Sequence, residues 1–204
     1  MKKVLFLLLV LTNIMLVSFA QKVYVDGNSK TRQFIGQETE FNFYRDWSYQ
    51  AEFTSGIGEY VRFFPVVITN IKTGDKIKAL QIEMMVKTEN TGIAMPFAKK
   101  GETTSFGYIA YEEVDGFINF LEKNVIPNLN SKFALKSNEY IFKTKEMVFS
   151  YLIYEKERRI TVGMPEIDIN TSEFKGKFLY FWTEKNIDDV VGLVKVLKRL
   201  KSNN

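Results

Sequence analysis

The chain has 204 residues, enough for one domain or two small ones, and it contains neither histidine nor cysteine. Zinc and copper sites of the usual kind are therefore excluded, and so are Ser-His-Asp and Cys-His catalysis. The 28 basic and 24 acidic residues are interspersed, which argues against nucleic acid as a partner. With no disulfides available, stability must come from packing, and 18 Phe, 10 Tyr and 2 Trp supply much of the apolar surface.

The first twenty residues have the pattern of a secretory signal peptide. Lys2 and Lys3 precede an apolar stretch over 4–17, and residues 18–20 form a small-x-small cleavage site before Gln21. The apolar stretch is too short to span a membrane comfortably. We therefore predict an exported bacterial protein, periplasmic or extracellular, without a membrane span once residues 1–20 are removed. The alternative is an uncleaved N-terminal anchor.

The first half of the mature chain is predicted to consist mainly of strands. Residues 29–40 are polar and predicted to be irregular. From Phe41 to Phe53 aromatic and apolar residues recur at odd positions, the period of a strand with one buried face, with a bend near Arg45-Asp46. Further strands are predicted over 60–69 and 76–87, joined by a hairpin turn, and Pro65 favours an edge or a bulge for the first of them.

Two helices, over 112–124 and 186–200, are predicted from apolar stripes of helical period. Each follows an aromatic-rich strand through an acidic turn. Four strands are predicted in the second half, 139–144, 147–154, 159–164 and 177–183, and 166–170 is the candidate for a fifth. A tight turn is predicted over 155–158. In the last helix, Asn186 is the predicted N-cap, and Val191 belongs to the apolar stripe that is predicted to be buried. Gly192 lies inside the same helix, and close approach of that helix to a sheet would explain it.

The predicted fold class is α+β, mainly antiparallel β-sheet with two helices packed on it. The repeated order of strands and then a helix suggests internal duplication, with similar halves at about 21–127 and 138–204 inside a single domain, 21–204. Two unrelated strand meanders are the alternative. Two arrangements fit this order: one saddle-like sheet carrying both helices on one face, or two barrel-like halves, each closed by its own helix.

Candidate binding residues come from exposed aromatic and apolar positions. Tyr44 departs from the odd-numbered face and is predicted to be exposed. The unpatterned stretch 88–104 carries Ile93, Met95 and Phe97 between polar flanks, and long loops of this kind are often functional. We predict that these four residues contact a ligand or protein at the cell envelope or outside it. The alternative for the loop is packing over a sheet edge.

Paired carboxylates are the one catalytic chemistry that the composition leaves open. Glycoside hydrolysis uses two carboxyl groups across a cleft, and the candidates are Glu112, Glu113, Glu166 and Asp168. Acids favoured at the start of a helix explain Glu112 and Glu113 better, and exposure to solvent explains Glu166 and Asp168 better. No catalytic residue, metal ligand or cofactor is therefore predicted.

The leading hypothesis is a non-catalytic exported protein that binds an envelope or extracellular ligand or protein. A carboxylate-based glycan hydrolase is the first alternative. A carrier of an apolar small molecule, suggested by the phenylalanine content, is the second.

The export prediction can be tested directly on the chain. Expressed with its natural N-terminus in a bacterium, the exported protein should begin at Gln21 when its N-terminus is sequenced. Because the signal processing site requires a small residue before the cleaved bond, Ala20→Tyr should leave the segment attached. An exported wild-type chain that still begins at Met1 would contradict the prediction and support the anchor.

Overall fold

The computed structural model describes residues 29–36, 40–88, 101–132, 136–167 and 174–202. Within these ranges the protein is α+β, with two antiparallel sheets and three helices. The predicted fold class is confirmed. The predicted single sheet is wrong, because the strands of the two halves pair only within their own halves. The signal segment 1–20 lies outside the described residues.

The first sheet contains five antiparallel strands, and one of its edges is formed by two short strands in succession. Its strands are β1 Phe41–Arg45, β2 Ala51–Thr54, β3 Tyr60–Asn70, β4 Lys76–Thr88 and β5 Gly101–Ala110. Strand β3 pairs with β4 on one side and with both β1 and β2 on the other, and β5 follows β4. The β3–β4 turn contains Gly74 at φ +77°, a left-handed conformation that glycine adopts without steric cost.

Strand β3 is an interior strand, but at Pro65 it has a partner on one side only, which is locally the edge position that was predicted. The β1 pairing ends at Arg45 opposite Val66, and the β2 pairing begins at Ala51 opposite Phe63. Pro65 therefore falls in the interval where β3 has no strand partner on that side. A proline has no backbone N–H to donate, and this interval is the place in β3 that tolerates it.

The second sheet is a four-stranded meander. Its strands are β6 Ser137–Lys143, β7 Val148–Tyr154, β8 Glu157–Ile167 and β9 Phe174–Thr183. Tyr154 pairs with Glu157, which leaves a two-residue turn with Glu155 at φ 52°. The predicted turn over 155–158 is therefore too long. Only the first two residues of the predicted strand 166–170 are described. They form the end of β8 and are not a separate strand.

The three helices are α1 Lys30–Gly36, α2 Val114–Phe120 and α3 Val190–Ser202. A 3-10 turn, Tyr111–Glu113, precedes α2, and a π turn, Leu121–Val125, and a 3-10 turn, Ile126–Asn128, extend it. Helix α1 corrects the prediction that residues 29–40 are irregular. Its Phe34 and Ile35 pack on the first sheet, and such tertiary contacts stabilise short helices that propensity alone does not.

Helices α2 and α3 each pack on the sheet of the other half. In α2, the Phe117 ring stacks on Phe142 of β6 at 5.0 Å and meets Phe149 of β7 at 5.4 Å. Helix α3 contacts β2, β3 and β4 of the first sheet. The predicted picture of two halves, each closed by its own helix, is therefore wrong. One continuous core includes residues of both sheets and both helices. Duplication itself stays a prediction.

The first sheet is buried on both faces, and the aromatic run 41–53 serves both. Phe41 and Phe43 pack in a second cluster under α1, whereas Ala51 and Phe53 belong to the main core. Phe43 lies opposite Ile68, an even-numbered residue of β3, whereas Phe53 lies opposite Val61, an odd-numbered one. Because opposite residues share a face and successive residues of a strand alternate between faces, the odd-numbered residues before and after the loop 46–50 point to opposite sides of the sheet.

The final helix differs from its prediction at three positions. Val191, predicted to be buried, is 40% exposed. Asn186 stands before the first turn but makes no side-chain capping hydrogen bond, and its φ is 52°. The position of Gly192 is open: a Cβ atom there would meet nothing within 4 Å. Close approach to a sheet therefore does not explain this glycine.

A buried acid joins α1, the first sheet and the second. Glu146, in the β6–β7 turn, is fully buried, and its carboxylate accepts hydrogen bonds from the Ser29 hydroxyl, from Arg32 at 2.6 Å and from the backbone N–H of Tyr108 at 3.1 Å. Burial, opposed by the Arg32 charge, raises the pKa of Tyr108. The phenol beside this ion pair therefore stays neutral.

The open position of Gly192 predicts a stabilising substitution. Gly192→Ala should raise the free energy of unfolding by about 1 kcal/mol, because glycine has the lower helix propensity and the added methyl group has space. Urea unfolding measures the change. Gly107→Ala is the opposite control: its Cβ would lie 3.1 Å from the buried Met164 Sδ, so this variant should be less stable than wild type. Destabilisation by Gly192→Ala would contradict the assignment.

We expect the removal of the Glu146 carboxylate to cause a large loss of stability. Glu146→Gln should lower the free energy of unfolding by about 3 kcal/mol, because the largely buried Arg32 loses its counter-charge. Glu184→Gln is the matched control, since Glu184 pairs with Arg159 at 2.7 Å while both side chains are 40% exposed. Its effect should stay below about 1 kcal/mol. Equal effects in the two variants would show that Glu146 does not hold this junction together.

Candidate functional site

A pocket of about 280 Å³ opens on the first sheet beside the end of α3. Its walls include apolar side chains from β3 and α3, namely Pro65, Val67 and Leu200. The lining also includes the rings of Tyr44 and Tyr49 and three charged side chains, Asp46, Lys78 and Arg199. The site therefore combines residues of the first sheet with the last turn of the last helix.

The strand register places three of these side chains on one face of the sheet. Tyr44 of β1 is opposite Val67 of β3, and Val67 is opposite Lys78 of β4. Pro65 shares this face, since side chains two apart in a strand point the same way. Helix α3 covers the same face farther along, where Leu200 is buried against the main core. The pocket lies where the helix ends and the sheet continues.

The loop 46–50 presents Tyr49 to the pocket. One oxygen of the Asp46 carboxylate accepts hydrogen bonds from the backbone N–H and the hydroxyl of Ser48, and the N–H of Tyr49 donates to the Asp46 carbonyl at 3.2 Å. The Trp47 ring packs edge-on against Phe64 at 5.0 Å. Trp47 and Tyr49 were both predicted to be core residues, but they are 59% and 40% exposed, because they belong to the loop between two strands.

The guanidinium of Arg199 stands over the Tyr49 ring, 4.7 Å from its centroid. Three other arginines have carboxylate partners: Arg32 pairs with Glu146, Arg62 with Glu52 and Arg159 with Glu184. Arg45 and Arg158 instead donate hydrogen bonds to the Gln81 side chain and the Leu129 carbonyl. In the described part of the chain no carboxylate lies within ion-pair distance of Arg199, so Arg199 lines the pocket without an acidic partner in these ranges.

The predicted binding residues have different outcomes. Tyr44 is 64% exposed and lines the pocket, so its predicted exposure is confirmed, while its role in binding stays a prediction. Ile93, Met95 and Phe97 lie outside the described residues. Residues 101–104, predicted to belong to the same loop, are instead the start of β5.

The candidate catalytic carboxylates beside α2 have structural partners. Glu112 pairs with Lys30 at 2.9 Å, and the two oxygens of Glu113 accept hydrogen bonds from the N–H groups of Ala110 and Lys145. Burial opposes the ionised form of Glu112, but the hydrogen bond from Lys30 holds its pKa below the usual value. A general acid requires a raised pKa, so these contacts favour a structural role. Glu166 lies at the end of β8, and Asp168 lies outside the described residues.

A second exposed aromatic surface lies on β9 of the other sheet. Tyr180 and Trp182 are each about half exposed. The Tyr180 ring covers Gly163, where a Cβ atom would lie 2.7 Å from the ring, and Arg159 stands over Trp182 at 4.6 Å. Unlike Arg199, this arginine is bound by a carboxylate, that of Glu184.

Sequence reasoning missed most of the pocket. Pro65 and Lys78 lie on the paired strands β3 and β4, but Arg199 comes from the far end of the chain, and only the tertiary fold brings it to Tyr44. One local signal was available: Asp46 and Ser48 form an Asp-x-Ser turn pattern, which indicates that the aromatic residues beside them belong to a loop.

Comparison with known proteins gives no assignment: no family model, no curated protein and no solved structure matches the chain. Among the described residues, no helix is long and apolar enough to cross a membrane. Across the same ranges, no cluster of three or more acidic side chains could hold a metal ion.

Proposed function

We propose that this is an exported, non-catalytic binding protein that holds a small molecule in the pocket formed by Tyr44, Tyr49 and Arg199. The observation that carries the proposal is the pocket itself. Apolar walls with a few convergent polar groups are typical of small-molecule sites, and the exposed Tyr44 lines this one.

The size of the pocket limits the ligand. Its volume of about 280 Å³ is near the lower end of the range of about 300–1,000 Å³ for drug-sized ligands. A compact molecule, or one side group of a larger one, matches this space. Exported binding at the envelope or outside the cell rests on the signal pattern of residues 1–20.

The polar groups of the pocket support binding rather than hydrolysis. Asp46 is the one carboxylate among the described lining residues, and Ser48 already donates two hydrogen bonds to it. Glycan hydrolysis requires a second carboxyl group across the cleft. The hydrolase alternative would therefore need a different site. The carrier alternative requires an enclosed cavity, whereas this pocket is open to solvent.

The proposal is tested by screening a fragment library against residues 21–204 with NMR. Fragments should shift the amide signals of Val67, Lys78 and Leu200, which line the pocket. Tyr49→Ala should lower the affinity of these fragments at least about tenfold, because burying a large apolar side chain against a ligand contributes roughly 1.5–3 kcal/mol to the binding free energy.

Tyr180→Ala is the matched control, since it removes a comparably exposed tyrosine from the other sheet and should leave fragment affinities unchanged. A screen without pocket shifts, or an unchanged affinity in Tyr49→Ala, would contradict the proposal. The same titrations on a chain lacking residues 91–99 decide whether Ile93, Met95 and Phe97 take part. Unchanged binding would show that they do not.

A further inference from the structure

Among the described residues the guanidinium of Arg199 has no carboxylate partner, and this indicates what kind of ligand the pocket binds. The ring of Tyr49 at 4.7 Å restrains this side chain, and a guanidinium over an aromatic face is attracted by the ring quadrupole. Its fixed, planar set of N–H donors matches the two oxygens of a carboxylate. A restrained arginine without an acidic partner in the described part of the chain is therefore prepared to bind an anion.

The charges around the pocket agree with this assignment. Arg199 and Lys78 contribute two positive charges to the lining, and Asp46 contributes one negative charge. Ser48 donates two hydrogen bonds to the Asp46 carboxylate, so this acid is engaged within its own loop. Arg199 is therefore the charge of the lining on which the assignment rests, since no carboxylate among the described residues pairs with it.

A cationic ligand fits the pocket poorly. Aromatic side chains beside an aspartate can form a cage for an ammonium group, and Tyr44, Tyr49 and Asp46 supply those residue types. Arg199 already occupies the face of Tyr49, however. A second cation would meet the repulsion of Arg199 in a site whose described lining offers one partly satisfied carboxylate.

An inorganic anion would leave much of the pocket unfilled. Pro65, Val67 and Leu200 form apolar walls next to the two tyrosines, and covering them removes apolar surface from water, which is favourable. A ligand that uses the whole pocket therefore needs an apolar body as well as a charge.

We infer that this pocket binds a small organic carboxylate, with the carboxylate on Arg199 and a compact apolar body against Tyr44, Pro65 and Val67. The inference rests on the proposed function, because it names the ligand class of the same site. It excludes amines and uncharged analogues as preferred ligands.

Three probes with one body and different charges test the inference: 3-phenylpropionate, 3-phenylpropanol and 3-phenylpropylamine. NMR titration of residues 21–204 should give the tightest binding for the carboxylate and at least about tenfold weaker binding for the amine. Raising the ionic strength should weaken the binding of 3-phenylpropionate and leave the binding of 3-phenylpropanol unchanged, because salt screens the attraction between exposed charges. Acetate alone should bind far more weakly than 3-phenylpropionate.

Variants assign the effect to Arg199. Arg199→Gln should lower the affinity for 3-phenylpropionate at least about tenfold and should change the affinity for 3-phenylpropanol less than about twofold. Arg159→Gln is the matched control, since Arg159 stands over Trp182 at 4.6 Å but is paired with Glu184. That variant should change neither affinity. Arg199→Lys, which keeps the charge and loses the planar donors, should give an intermediate loss, and circular dichroism confirms that each variant folds.

The outcomes separate the two proposals. If fragments bind in the pocket but the alcohol binds as tightly as the carboxylate, or Arg199→Gln leaves the carboxylate unchanged, the ligand class is wrong and the binding function stands. If neither the probes nor the fragment library shifts the pocket signals, both are wrong.

Discussion

The structure depends on the exchange of helices between its two sheets. The Phe117 ring of α2 stacks on Phe142 of the second sheet at 5.0 Å, while α3 lies on the first sheet. Each sheet therefore buries one face with a helix that the other half supplies, and neither half contains a complete core. The exchange also creates the candidate site, because it brings Arg199 and Leu200, near the end of the chain, to the face that carries Tyr44.

The second face of the first sheet depends on a buried charge. Helix α1 packs on β4 and β5 and adds Phe34 and Ile35 to the cluster that contains Val66 and Ile68, but a helix of seven residues has little stability of its own. The carboxylate of Glu146, which holds Ser29 and Arg32, fixes the start of this helix against the edge strand β5. Burying such a pair contributes little net stability, whereas removing either partner is costly. Glu146 is therefore better understood as defining where α1 docks.

Sequence patterns predicted the local structure well and the tertiary structure poorly. The period-2 alternation of β4 predicted its buried face, and Leu80, Ile82 and Met84 are all fully buried. Helix α1 escaped prediction because its stability comes from the sheet beneath it. Trp47 continued the alternation by coincidence, within a loop that shifts the strand register. The pocket could not be predicted, because its residues meet only after α3 crosses to the other half.

Arg159 and Arg199 both stand over aromatic rings, and the difference between them is informative. Arg159 over Trp182 has its charge neutralised by Glu184, so the contact is complete without a ligand. Arg199 over Tyr49 has a similar geometry without a carboxylate in the described part of the chain. The contact with the ring restricts this exposed side chain in part, so a bound anion has less conformational freedom to offset, and preorganisation of this kind increases affinity. The binding hypothesis therefore depends on a charge that the Tyr49 ring holds in place and that has no carboxylate partner among the described residues.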